Sequence, residues 1–270
     1  MVNLKGVGVA LVTPFTEKGD VDFAALERLL NHVKTSGVDY LVVFGTTGEP
    51  PTLTSDEKTE ILSYIKKWNN GSMPILLGMG ANNTAELCEQ IKHTDFTDIA
   101  AILSVAPYYN KPNAEGLYQH FKAVAECSPI PVVLYNVPSR TGVNITAETT
   151  LKLARECENI IGIKEASGNL NQVAYIIKDA PETFFVISGD DNLALPIIAL
   201  GGDGVISVSA NAFAADVCEM IHAALDDNMV IARSKYYKLL VATDAIFAEG
   251  NPCGVKCALS LKNISTDTVR

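Results

Sequence analysis

Ile160-Ile161-Gly162-Ile163-Lys164-Glu165-Ala166-Ser167-Gly168-Asn169 is the stretch around which the chain is organised. It starts as an apolar, β-branched run of strand length and ends in a polar, glycine-containing turn. Lys164 closes the run. Side chains alternate along a strand, so Lys164 shares a face with Gly162 and Ile160, while Ile161 and Ile163 take the other. Gly162 then leaves room for the lysine stem on a crowded inner face. An amine held there is desolvated, which disfavours its ammonium form. An uncharged lysine amine attacks carbonyl carbons and forms Schiff bases. The competing reading is a lysine that snorkels from a strand end into solvent. That suits the other lysines, most of which fall on polar helix faces or in turns, whereas Lys164 alone closes an apolar strand.

Outward from this strand, the chain beats regularly between two periodicities. Apolar strand-like runs fall at 6–13, 40–44, 74–79, 99–105, 131–135, 160–164, 184–188 and 204–208. Helical patterns fall between and after them, at 23–36, 55–68, 84–93, 114–127, 147–156, 170–179, 193–200 and 213–226. Asp22 and Asn83 are expected caps, and Thr54-Ser55-Asp56-Glu57 has the capping-box spacing. Eight alternations predict a closed parallel (β/α)8 TIM barrel over residues 1–226. Two further helical patterns, 230–247 and 252–261, predict a C-terminal helical appendage over 227–270. Near-continuous apolar strands fit a sheet covered on both faces. The polar, glycine-rich clusters follow strands and so converge on the rim where barrel enzymes place their sites. That rim would bring Lys164, Tyr135, Tyr109, Thr46 and Arg140 towards one pocket.

The length of 270 residues suits one such barrel, and 48% hydrophobic residues supply its core. A formal net charge of -10 argues against nucleic acid or an anionic membrane as partner. The start of the chain reads as a strand rather than a signal segment, and the most apolar region, 193–217, is broken by Pro196 and three glycines. A cytoplasmic protein is expected. The six cysteines are scattered with no CxxC and are expected to be reduced, largely buried thiols. The four histidines fall on helical patterns without an HxH or HxxxH pair, so no metal site is expected.

Several clusters carry chemistry. Gly45-Thr46-Thr47-Gly48 offers two hydroxyls and backbone N–H groups suited to a carboxylate, or it is a glycine turn with local caps. Tyr135, on the inner parity of its strand, could relay a proton beside a neutral amine, or be a core tyrosine. Arg140, in Pro-Ser-Arg-Thr-Gly, could clamp a carboxylate in bidentate fashion. The pair Tyr108-Tyr109 could give a phenol to the site or anchor an interface. Gly201-Gly202-Asp203-Gly204 reads as a tight turn or a barrel phosphate loop.

Six of these motifs together closely resemble the dihydrodipicolinate synthase family, the pyruvate-dependent class I aldolases that include N-acetylneuraminate lyase. They are GTTGE (Gly45–Glu49), YYNKP (Tyr108–Pro112), YNVPSRTG (Tyr135–Gly142), IKEASGN (Ile163–Asn169), SGDD (Ser188–Asp191) and GVISV (Gly204–Val208). The resemblance runs from Met1 to about Leu261. It implies a homotetramer, a dimer of dimers, of (β/α)8 barrels that condense pyruvate with L-aspartate 4-semialdehyde, without metal or organic cofactor. It further implies that Lys164 is the Schiff-base lysine and Tyr135 the proton donor and acceptor. Thr46 and Tyr109 would complete the proton relay, Tyr109 from a neighbouring subunit. Thr47 and Ile206 would hold pyruvate, and Arg140 the carboxylate of the semialdehyde. Neuraminate lyases usually lack that arginine, so its presence favours the short, carboxylated aldehyde. Asn82, Glu86 and Tyr108 match the family's allosteric cleft, while the histidine or aromatic residue expected near Ser55 and Lys58 in lysine-inhibited members is missing.

Overall fold

The computed structural model describes residues 2–270. Its strands are β1 (Gly6–Ala10), β2 (Tyr40–Val43), β3 (Ile75–Gly78), β4 (Ala101–Val105), β5 (Val132–Asn136), β6 (Ile160–Glu165), β7 (Phe185–Ser188) and β8 (Gly204–Ser207). They pair in chain order into a closed barrel, every pairing parallel. Parallel neighbours need crossovers. These are α1 (Phe23–Thr35), α2 (Ser55–Asn69), α3 (Thr84–His93), α4 (Ala114–Cys127), the single-turn α5 (Pro138–Thr141), α6 (Ala147–Glu156), α7 (Leu170–Asp179), α8 (Ala194–Ala199) and α9 (Ala210–Leu225). This is the (β/α)8 barrel the sequence predicts. The appendage is α10 (Met229–Phe247), packed mainly on α9, and α11 (Cys253–Leu261), which touches both.

Helix boundaries follow capping chemistry. The side chains of Asp22, Thr54, Asn83, Asn113, Thr146 and Asn169 each accept a first-turn backbone N–H at the heads of α1, α2, α3, α4, α6 and α7. Such a cap contributes about 1 kcal/mol. Thr54 and Glu57 complete the reciprocal capping box. The predicted helix 193–200 is divided into a 3-10 turn at Asp191–Leu193 and a short α8. Pro196 is tolerated there because first-turn N–H groups lack helical partners anyway.

The barrel closes where Gly6 pairs with Gly204. Gly204 has φ +151°, and a Cβ there would run into the Gly6 carbonyl, so the seam requires glycine. Inside, Tyr40, Val42, Leu76, Leu103, Val133 and Ile187 fill the lumen, making it a packed core. Outside, helices and strands enclose two larger apolar clusters.

One expectation about β6 is corrected. The β5–β6 register steps from Val132↔Ile160 to Val133↔Gly162, so Ile161 is an extra, bulged residue. Ile160 therefore packs outward with Val132 and Ile163, and Ile161 turns to the inner cluster. Beyond the bulge, regular pairing resumes with Tyr135↔Lys164 and Asn136↔Glu165. The thiols are also less buried than expected. Only Cys157 and Cys218 are buried, and α11 turns Cys253 and Cys257 outward; all six are free.

On the floor of the barrel His222 on α9 meets Asp39 at 2.8 Å, and Asp39 also accepts the Val7 N–H. The Asp39 hydrogen bond is the main cause holding the His222 imidazolium above its ordinary pKa, against desolvation. A raised folded-state value means the pair stabilises fully below the unfolded histidine pKa of about 6.5 and fades as pH rises through the folded value. Both side chains are more than a third exposed, so screening limits the effect to about 1 kcal/mol or less. His222→Gln should lower the melting temperature at about pH 5.5 and lose that deficit by about pH 9. A deficit independent of pH would assign the loss to packing instead.

Candidate active site

Two rim loops carry the backbone strain of the molecule. Among the described residues eight non-glycines have positive φ: Asn70, Asp98, Asp227 and Asn263, types that tolerate it, and Phe44, Glu49, Tyr109 and Lys111. The last four all lie in the loops after β2 and β4. Strained residues collect at functional sites because surrounding structure must hold them there. The loop after β2 folds GTTGE into a 3-10 turn, Thr46–Gly48, closed by the Glu49 N–H on the Thr46 carbonyl at 3.2 Å.

Lys164 lies at the end of β6, 4% exposed, with Nζ 4.3 Å from the centre of the Tyr135 ring. The Tyr135 hydroxyl stands 3.5 Å from Thr46 Oγ1, with either as donor. A line of amine, phenol and hydroxyl thus runs from β6 through β5 to the turn after β2. Gly162 does not make the room for the lysine stem. A Cβ on Gly162 would meet the Phe185 carbonyl at 2.7 Å, so that glycine admits β7. The stem is instead accommodated by Gly189, whose added Cβ would lie 3.0 Å from Lys164 Cε and 2.7 Å from Ala166 Cβ.

A cavity of about 880 Å³ opens from this point between the rim loops, walled by Thr46, Tyr135, Val137, Arg140, Glu86 and Tyr108. Lys164 and Ile206 are not on its wall; Lys164 is held against the Tyr135 ring, and Ile206 is fully buried in the lumen cluster. Arg140 projects from α5 and donates from Nη2 to the Asn251 carbonyl at 3.2 Å. Thr47 is buried, and its Oγ1 accepts from Asn251 Nδ2 at 2.9 Å. Asn82 takes part through its carbonyl, which accepts from Asn110 Nδ2 at 2.8 Å. Tyr109 does not join the others within one chain: it is 88% exposed and does not line the cavity. The Gly201–Gly204 turn precedes β8 and lies on the opposite rim, where Asp203 accepts the Val186 N–H at 2.8 Å.

Sequence reasoning missed the polar frame behind the site. Glu165, 2% exposed, has no cationic partner among the described residues; its carboxylate accepts from Asn136 Nδ2 at 3.0 and 3.1 Å, Gln172 Nε2 at 2.7 Å and the Ser167 N–H at 2.7 Å. An acid directly after the lysine, on the outer parity of a buried strand, was the available signal. Asp191, also buried, accepts from the Ser207 hydroxyl and from the N–H groups of Val208 and Ser209, fixing the loop after Ile206. Desolvation raises its carboxyl above the ordinary value. Lys256, unlike the solvent-facing lysines the sequence predicts outside Lys164, is fully buried against Glu49. Among the described residues no group of three or more His, Cys, Asp or Glu side chains is placed to hold a metal ion.

Because Gly189 and the Lys164 stem are in contact, Gly189→Ala should slow borohydride-dependent labelling of Lys164 by a keto acid about tenfold or more. The overpacking should cost about 1–3 kcal/mol of stability. Wild-type labelling in the variant would show that the stem has room to spare.

The dihydrodipicolinate synthetase family model matches residues 3–270. The 4-hydroxy-tetrahydrodipicolinate synthase of Phocaeicola vulgatus is 50% identical over 99% of this chain and 90% of its own length. That of Parabacteroides distasonis is 49% identical over 100% and 91%. The crystal structure of dihydrodipicolinate synthase from Thermotoga maritima superposes with a TM-score of 0.96 at 37% identity, covering 100% of this chain and 92% of that one. A barrel of this topology, with a buried lysine, tyrosine and threonine aligned at its rim and relatives this similar end to end, belongs to the dihydrodipicolinate synthetase family.

Proposed function

We propose that the chain is a 4-hydroxy-tetrahydrodipicolinate synthase, a lyase of the class I aldolase type that condenses pyruvate with L-aspartate 4-semialdehyde. The observation that carries this reading is the buried Lys164 amine over the Tyr135 ring, with Thr46 beyond it. Lys164 Nζ adds to the keto carbon of pyruvate, water leaves, and an imine forms. The imine nitrogen draws electrons, so a methyl proton is lost and the enamine results. The enamine carbon bonds to the aldehyde carbon, whose oxygen takes up a proton. The amino group of the adduct then attacks the imine carbon, closes the ring and releases Lys164. Tyr135, hydrogen-bonded to Thr46, is placed to give and take these protons.

Thr47, buried and oriented by Asn251, and Ile206 at the end of β8 are assigned to pyruvate. Arg140 on the cavity wall is assigned to the semialdehyde carboxylate, since its planar fork matches a carboxylate. Tyr109, exposed and strained, is assigned to a neighbouring subunit's relay within a homotetramer. Glu86 and Tyr108, both on the cavity wall, are assigned with Asn82 to an effector cleft. Six free thiols suit the reducing cytoplasm. No described helix is long and apolar enough to cross a membrane.

Borohydride reduction in the presence of pyruvate, followed by peptide mass mapping, should place the adduct on Lys164; an adduct elsewhere, or none, refutes the mechanism. Arg140→Ala should keep pyruvate trapping and lower kcat/KM for the semialdehyde about ten- to a hundredfold, the worth of a charged hydrogen-bonded pair. Equal loss of both would remove Arg140 from its assigned role. Turnover of neuraminate in place of the semialdehyde would move the substrate assignment to a sugar acid.

A further inference from the structure

We propose that Lys256 is a positioning residue for this reaction: its buried ion pair with Glu49 holds the corner that ends the Thr46–Gly48 turn, and so sets where Thr46 and Thr47 stand. The proposal rests on the assignment of those two threonines to the proton relay and the pyruvate subsite.

The corner needs holding. Glu49 has φ +55°, a left-handed conformation that costs a side chain of this kind about 1–2 kcal/mol, and it closes the 3-10 turn through its own N–H. Its carboxylate is 7% exposed and bound on both oxygens. Oε1 accepts from Lys256 Nζ at 2.5 Å, and Oε2 from the Arg270 N–H at 2.9 Å. The Lys256 ammonium, 0% exposed, also donates to the Thr268 carbonyl at 2.8 Å and lies 4.1 Å over the Phe15 ring. Among the described residues Lys164 and Lys256 are the two buried lysines, and only Lys164 has a part in the chemistry.

A buried ion pair is a poor way to gain stability, because desolvation of the two charges offsets their attraction and apolar replacements often serve as well or better. Burial does lower the Lys256 pKa, with Glu49 opposing. What the pair supplies that an apolar pair would not is direction. Lys256 fixes one end of the turn from α11. Just before that helix, Asn251 grips the Thr47 hydroxyl, and Thr13 Oγ1 donates to the Gly48 carbonyl at 2.7 Å. With three consecutive residues, Thr47, Gly48 and Glu49, each tied from outside the loop, the hydroxyl of Thr46 is left one place to stand opposite Tyr135.

The test separates position from stability. Lys256→Met alone should melt well below the wild type, because it strands a buried carboxylate. The double variant Glu49→Gln/Lys256→Met removes both charges and should recover most of the melting temperature. If the pair positions the turn, the folded double variant will still show a pyruvate KM raised tenfold or more, with the semialdehyde KM within twofold of wild type. Glu49→Asp keeps both charges but draws the corner back by one methylene, and should raise the pyruvate KM in the same way; it decides the matter if the double variant does not fold. A wild-type pyruvate KM in either folded variant overturns the proposal. Failure of the wild-type protein to trap pyruvate on Lys164 would instead count against the underlying assignment of the site.

Discussion

The parallel ladder between β5 and β6 sets Tyr135 beside Lys164 on the lumen side and Asn136 beside Glu165 on the outer side. The outer pair is what makes the inner pair dependable. Asn136 spends both ends of its amide: Nδ2 reaches Glu165 and the Asn144 side chain, and Oδ1 accepts the Ile145 N–H at 2.9 Å. A buried carboxylate is expensive unless hydrogen bonds replace its water. Here neutral donors replace it from β5, α7 and the turn after β6. Sliding β6 against β5 would break several of these bonds at once, which a purely apolar contact between the strands would not resist. The catalytic geometry is thus secured by a polar frame on the opposite face of the same two strands.

Much of this was legible in the residue order. The strand-and-helix beat gave eight alternations, and helices such as Thr84–His93 and Ala114–Cys127 begin and end where capping chemistry and periodicity put them. Lys164, Tyr135 and Thr46 meet as their strand-end positions imply. Reading failed where the determining contact is distant in sequence. The bulge at Ile161 depends on how β6 registers with β5, and strand alternation alone cannot foresee it. The glycine that accommodates the lysine stem is Gly189 on the neighbouring strand end rather than Gly162, because space is a property of the folded rim. The burial of Lys256 is invisible within its own helix because its partner Glu49 lies 207 positions earlier in the chain. Tyr109 is 88% exposed because none of the described residues covers it.

The appendage, easily regarded as packing on the outside of the barrel, reaches the rim through the short stretch between α10 and α11. Asn251 touches both Thr47, through its amide, and Arg140, through its carbonyl. Those residues come from the loops after β2 and β5, which do not otherwise share a strand pairing. A single residue outside the barrel therefore spans the two halves of the cavity. Its Oδ1 is buried without a hydrogen-bond partner among the described residues, so the amide orientation is set by Thr47 alone.

The irregularity at Ile161 lies on the side of Gly162 away from the rim, near the barrel floor. A bulge leaves one residue unpaired and bends the strand locally, while the pairing beyond it stays regular. This strand therefore has a built-in expansion joint. The extra residue takes up the register step below Gly162, so the amine and phenol above it meet in regular pairing.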